Sequence, residues 1–152
     1  MRYFYNFQAI LWRILIVPLI LFSSNSFATH AQSADITYQC LGNNQYQINL
    51  SFYRDCAGVN APNTVNIDIT SASCNQNLSL VLNQLPNSGN EVTPICNAMN
   101  TTCTGGAYPG VEEYLYSGII TIPQACTDWV FSFTLCCRNN AINTIQNPGG
   151  EN

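Results

Sequence analysis

Apolar and polar residues alternate along most of the chain, the two-residue period of strands that bury one face. Ile36, Tyr38 and Cys40 alternate with Thr37 and Gln39 in a first short strand. Gly42-Asn43-Asn44 tolerate positive φ and mark a turn. Tyr46, Ile48, Leu50 and Phe52 then face one way while Gln47, Asn49, Ser51 and Tyr53 face the other, so the two strands predict a hairpin. Val65, Ile67 and Ile69 predict a third strand, and Leu78, Leu80 and Leu82 a fourth. Tyr114, Tyr116, Gly118, Ile120 and Ile122 alternate with Leu115, Ser117, Ile119 and Thr121, which places this strand centrally or covers its second face. The last strand carries Trp129, Phe131, Phe133 and Leu135 on one face, the strongest core expectation, and runs into Cys136-Cys137-Arg138. No window shows a helical stripe of several turns. The pattern predicts an all-β, immunoglobulin-like sandwich.

Between Gln84 and Pro109 the alternation stops, broken by Pro86, Gly89, Pro94, Gly105 and Gly106. A structureless run of that length is uncommon in a compact domain. Cys96 and Cys103 lie inside it, and a bridge between them would close a small local loop. A stapled connector is therefore expected rather than an exposed recognition loop. Beyond Arg138 the chain reads as a loop ending in Pro-Gly-Gly, so the sandwich is expected to be incomplete at its C-terminus.

The start of the chain changes the compartment. Arg2 and Arg13 flank a segment whose apolar core, Ile14 to Phe22, is shorter than the roughly 20 residues that cross a bilayer. Small-x-small sites ending at Ala28 and Ala31 follow, which predicts a secretory signal over residues 1–31, no stable membrane span after cleavage, and one module over 32–152. All eight cysteines (Cys40, Cys56, Cys74, Cys96, Cys103, Cys126, Cys136 and Cys137) fall in that module. An even count in a secreted chain predicts a disulfide framework of open connectivity. Cys136 and Cys137 are expected to reach different partners, because a bridge between neighbours needs a strained ring.

Charge narrows the partners. There is no lysine, and in the module only Arg54 and Arg138 face the chain's eight acidic residues. With no basic patch to neutralise phosphates, nucleic acid is excluded as an expected partner. The one histidine, His30, lies at the cleavage site, so a Ser-His or Cys-His pair is not expected in the folded part. Zinc is disfavoured by the long cysteine spacings and the oxidising compartment. Asp35, Asp55, Asp68, Glu91, Glu112, Glu113 and Asp128 could include an acid–base pair at glycosidase spacing, but adjacent Glu112 and Glu113 leave opposite faces of any strand. Tyr38, Tyr46, Tyr53, Tyr108, Tyr114 and Tyr116 could form a sugar platform, although such tyrosines more often pack at the rim of a core. No catalytic residue, metal or cofactor is expected.

Four segments, Asp35–Cys40, Leu50–Cys56, Pro109–Gly118 and Cys136–Asn139, together resemble the N-terminal region of large secreted surface proteins of gliding bacteria. Those proteins carry immunoglobulin-like PKD repeats and end in a gliding-motility-associated C-terminal sorting module. The resemblance implies export to the cell surface and an adhesive or structural role; cell-surface or extracellular partners are expected, with polysaccharide one candidate. It carries over no catalytic residue. The repeats and the sorting module are absent from this chain, so a truncated product is expected, with a stand-alone version of the module as the alternative. The rival expectation is a carbohydrate-binding or carbohydrate-active domain built on the tyrosines and acids.

Overall fold

Two rows of aliphatic side chains organise the fold: Ile48, Leu50 and Phe52 on one strand, and Val65, Ile67 and Ile69 on another. All six are buried, and they pack together with Leu82 and Tyr116. The structure, a computed structural model, describes residues 31–96, 98–135 and 138. Its strands are β1 (Ala31–Gly42), β2 (Gln45–Asp55), β3 (Thr64–Ser71), β4 (Gln76–Gln84), β5 (Asn90–Glu91), β6 (Val111–Thr121) and β7 (Val130–Ser132). One 3-10 turn, Thr102–Thr104, is the only helical element among the described residues. The strands run in the order β1-β2-β6-β4-β3-β7, each antiparallel to its neighbours, with β5 on β6.

Turn chemistry sets the hairpins. Gly42, Asn43 and Asn44 take φ of +89°, +51° and +58°, the left-handed backbone that glycine adopts freely and asparagine tolerates. Two positive-φ residues at a tight turn match the twist of the flanking strands, so β1 and β2 pair from this end.

β6 joins the two halves of the sheet. It pairs with β2 along its whole length but meets β4 only at Asn83–Ser117 and Gln84–Tyr116. Gly118 makes that approach possible, since a Cβ there would lie 2.8 Å from Leu82 Cδ2 and 3.1 Å from the Val81 carbonyl. The far edges also come together, where Ala31 bridges Arg138. The result is one sheet nearly closed into a barrel around the core, where the sandwich expectation has two separate stacked sheets. The physical reason is β6, whose two edges are both hydrogen-bonded. The strand is central, as expected, but its second face is open: Ile119 is 58% exposed and Leu115 is exposed beside it.

The run from Gln84 to Pro109 is a tied connector. The Leu85, Gly89 and Val92 amides donate to the carbonyls of Leu115, Glu113 and Val111, so the chain follows the edge of β6 before turning away. Trp129, Phe131, Phe133 and Leu135 flank the core half-buried, with Phe133 edge-on to Phe52. Their strand is shorter than the alternation predicts, because pairing with β3 ends at Ser132. The expected leader ends at Ala31, the residue that is buried here as the first of β1. Residues 1–30, Cys136, Cys137 and 139–152 lie outside the described residues.

Candidate functional site

The barrel has two ends, and each gathers the polar chemistry that the alternating core excludes. At one end the inward row of β2 finishes not in an aliphatic residue but in Arg54, only 6% exposed. Its Nε donates to Glu112 Oε2 on β6 at 2.9 Å, and its Nη1 donates to the carbonyls of Gly58 and Val59. The guanidinium also lies 5.8 Å from the ring centre of Tyr114, whose hydroxyl donates to the same Glu112 oxygen. Thr101, fully buried, donates to Glu91, and Cys103 beside it is bonded to Cys56. Cys56, Cys103 and Glu112 present ligand atoms within 4.8 Å of one another, yet two of the three are sulfurs spent in a disulfide. Without thiolates the cluster is not a metal site. It is a knot that ties the 56–62 loop and the long connector to the sheet.

At the other end lies a cleft of about 280 Å³. Tyr38 of β1 and Tyr46 of β2 form one wall, their rings edge-to-face at 6.2 Å. Tyr38 is 70% exposed. Ile122 and the linker Gln124–Thr127 form the floor and the opposite rim, and Trp129 and Phe131 close it. Asn44, Gln124 and Thr127 border the cleft with side chains that make no hydrogen bond to another described residue. Among the described residues, no acidic or basic side chain lines it.

The linker that builds this cleft is pinned twice. Cys126 is bonded to Cys74 in the β3–β4 turn. Asp128 accepts hydrogen bonds from Ser71 Oγ at 2.6 Å and from the Ser73 amide at 2.8 Å, and Ser73 Oγ donates to it as well. Trp129 Nε1 donates to the Gln124 carbonyl at 3.3 Å, which holds the indole against the linker. The Ser71 and Ser73 donors keep the Asp128 carboxyl well below the usual carboxylate range. A carboxylate whose pKa falls on folding contributes stability above its ordinary value, near 3.8, and that contribution is lost on acidification below it. Stability is therefore expected to fall as pH drops below about 4, and Asp128→Asn to flatten that slope. Urea midpoints measured across the acid range check it; an unchanged slope in the variant would contradict the latch.

The acids named from sequence do not converge. Glu112 serves Arg54, and Glu113 on the opposite face accepts from Tyr53 at 2.7 Å. Glu91 and Asp128 hold turns, Asp55 accepts from the Ala57 amide, and Asp35 and Asp68 are exposed on separate strands. The six tyrosines also disperse: Tyr38 and Tyr46 reach the cleft, Tyr114 the knot and Tyr53 the outer face, and Tyr108 is exposed on the connector. Tyr116 is buried with its hydroxyl on the Pro62 carbonyl at 2.7 Å, and burial pushes its pKa up to about 12. Cys103 pairs with Cys56 and not with Cys96; Cys40 and Cys96 are exposed and bonded to no other described cysteine, and Cys136 and Cys137, the remaining members of the expected framework, lie outside the described residues. Sequence reading placed Trp129 and Phe131 in the core and missed the cleft. The available signal was the neighbouring run of unpatterned polar residues, Gln124 and Thr127, beside a tryptophan, a side chain seldom fully buried. No family model, curated protein or solved structure matches the chain.

Proposed function

We propose that this chain is a non-catalytic module, exported to the cell surface or the extracellular space, with an adhesive or structural role. The observation that carries the reading is the contrast between the two kinds of polar group. Glu91, Glu112, Glu113 and Asp128 are spent on hydrogen bonds that hold the fold, while the described lining of the cleft is aromatic and neutral. Such a surface offers binding without an acid or base to turn a substrate over. Two disulfides support an oxidising destination. Antiparallel strands wrapped around one apolar core are compatible with an immunoglobulin-like ancestry of the fold.

The test is fractionation followed by an envelope-binding assay. The protein, made with its own leader in a secreting host, is expected outside the cytoplasm, and the purified product to bind isolated cell envelopes saturably without releasing soluble fragments. Release of sugar from any polysaccharide, abolished by Glu113→Gln or Asp68→Asn, would overturn the non-catalytic reading.

A further inference from the structure

We infer that the cleft between Tyr38, Tyr46, Trp129 and Phe131 is a binding site for one ring of an uncharged saccharide, with the neighbouring rings of the polymer left in solvent. The inference rests on the adhesive reading and names its ligand. Three features of the cleft select the chemistry. The first is aromatic faces at the surface, which carry negative charge density and attract the weakly positive C–H face of a pyranose ring. Tyr38 supplies such a face to solvent, and Trp129 supplies the larger ring, fixed by its Nε1 bond to Gln124. The second is a rim of exposed neutral side chains that bond no other described residue. Asn44, Gln124 and Thr127 each carry a side chain that can both donate and accept, which matches a hydroxyl group, itself donor and acceptor. The third is that no described residue along the lining carries a charged side chain.

That third feature decides between ligands. A uronic acid, a sulfated sugar or a nucleotide would leave its anion unpaired in the cleft, and the chain's net negative charge adds repulsion. A purely apolar ligand would bury the three amide and hydroxyl side chains without partners, which costs free energy at each. A neutral sugar satisfies both. The size agrees: about 280 Å³ lies just below the range of pockets that enclose a drug-sized ligand, room for one ring rather than an oligomer. The site is also pre-formed, since Cys74–Cys126 and the Asp128 latch hold its far wall before any ligand arrives. Little ordering is left to be done on binding.

The experiment is affinity electrophoresis and pull-down of the full secreted chain on a panel of insoluble and soluble polymers: cellulose, mannan, xylan, β-1,3-glucan and chitin on one side, alginate and polygalacturonate on the other. Retention is expected on at least one neutral polymer and on neither acidic one, with no loss as salt is raised. Tyr38→Ala, at an exposed position, is expected to weaken that retention about tenfold or more, with Tyr38→Phe retaining most of it. Gln124→Ala is expected to weaken it with an unchanged melting temperature. Retention on no neutral polymer, preference for the acidic ones, or neutral-polymer binding that ignores both Tyr38→Ala and Gln124→Ala each overturns the inference. Envelope binding that survives Tyr38→Ala would overturn the cleft as its site while leaving the adhesive role standing. Loss of envelope binding by the wild-type chain would remove the adhesive role itself.

Discussion

Replacing Arg54 with methionine is expected to cost about 3–5 kcal/mol of folding stability, a large share of what a domain of this size has. The loss is not mainly that of an attraction. Arg54 and Glu112 side chains are only 8% and 19% exposed, so the methionine variant strands a half-buried carboxylate opposite an apolar group. The carbonyls of Gly58 and Val59 lose their donor as well, and the 56–62 loop loses its tie to the sheet. The paired replacement Arg54→Met with Glu112→Leu removes both charges and is expected to recover most of the loss, because an apolar pair of similar volume avoids the desolvation cost of a buried ion pair. Urea unfolding of the two single variants and the double variant closes the cycle. A single variant that loses less than about 1 kcal/mol would mean the ion pair is a surface contact in solution.

Removing either disulfide by paired serine replacement is expected to cost about 4 kcal/mol. Cys56–Cys103 and Cys74–Cys126 span sequence separations of 47 and 52, and cross-links over such distances cut the entropy of the unfolded chain by about that amount in the chain-entropy account. The two effects together approach the whole stability of an ordinary domain, so full reduction is expected to abolish cooperative unfolding near body temperature. The consequences differ by end. Loss of Cys74–Cys126 frees the linker that carries the cleft, whereas loss of Cys56–Cys103 frees the connector beside the knot. Calorimetry of oxidised and reduced protein checks this, and a cooperative transition at the same temperature after reduction would contradict it.

How much of this was legible in the sequence follows from what alternation encodes. It reports which face of a strand is buried, and it found β2, β3 and β4 through Ile48, Leu50, Val65, Ile67 and Leu82. It cannot report which strand lies beside which, so the place of β6 between β2 and β4, a pairing of residues far apart in the chain, was invisible. The turn at Gly42-Asn43-Asn44 was legible because backbone sterics leave few residues that adopt positive φ. Arg54 was not, since a charged residue after Phe52 reads as the end of a strand. Only the fold shows that it continues the inward row and meets Glu112. Trp129 and Phe131 do pack against the core, but their second role at the cleft was hidden for a related reason. A side chain walling a cleft and one sealed in a core share the same period, and only the open space beside Tyr38 separates them. Cysteine spacing could not choose the partner of Cys103, because Cys56 comes near it through the pairing of β2 with β6 and the bond from the Cys56 amide to the Gly110 carbonyl.

The central claim is a β-domain clasped by a disulfide at both ends of its barrel, and its most direct test is disulfide mapping of the purified, non-reduced protein. Thiols are alkylated at collection, and the chain is cut with pepsin or chymotrypsin, since it has no lysine and few arginines for trypsin. Mass spectrometry is predicted to find one homogeneous pattern in which Cys56 is joined to Cys103 and Cys74 to Cys126. A peptide joining Cys96 to Cys103, a scrambled mixture, or alkylated Cys56 and Cys74 would contradict the account.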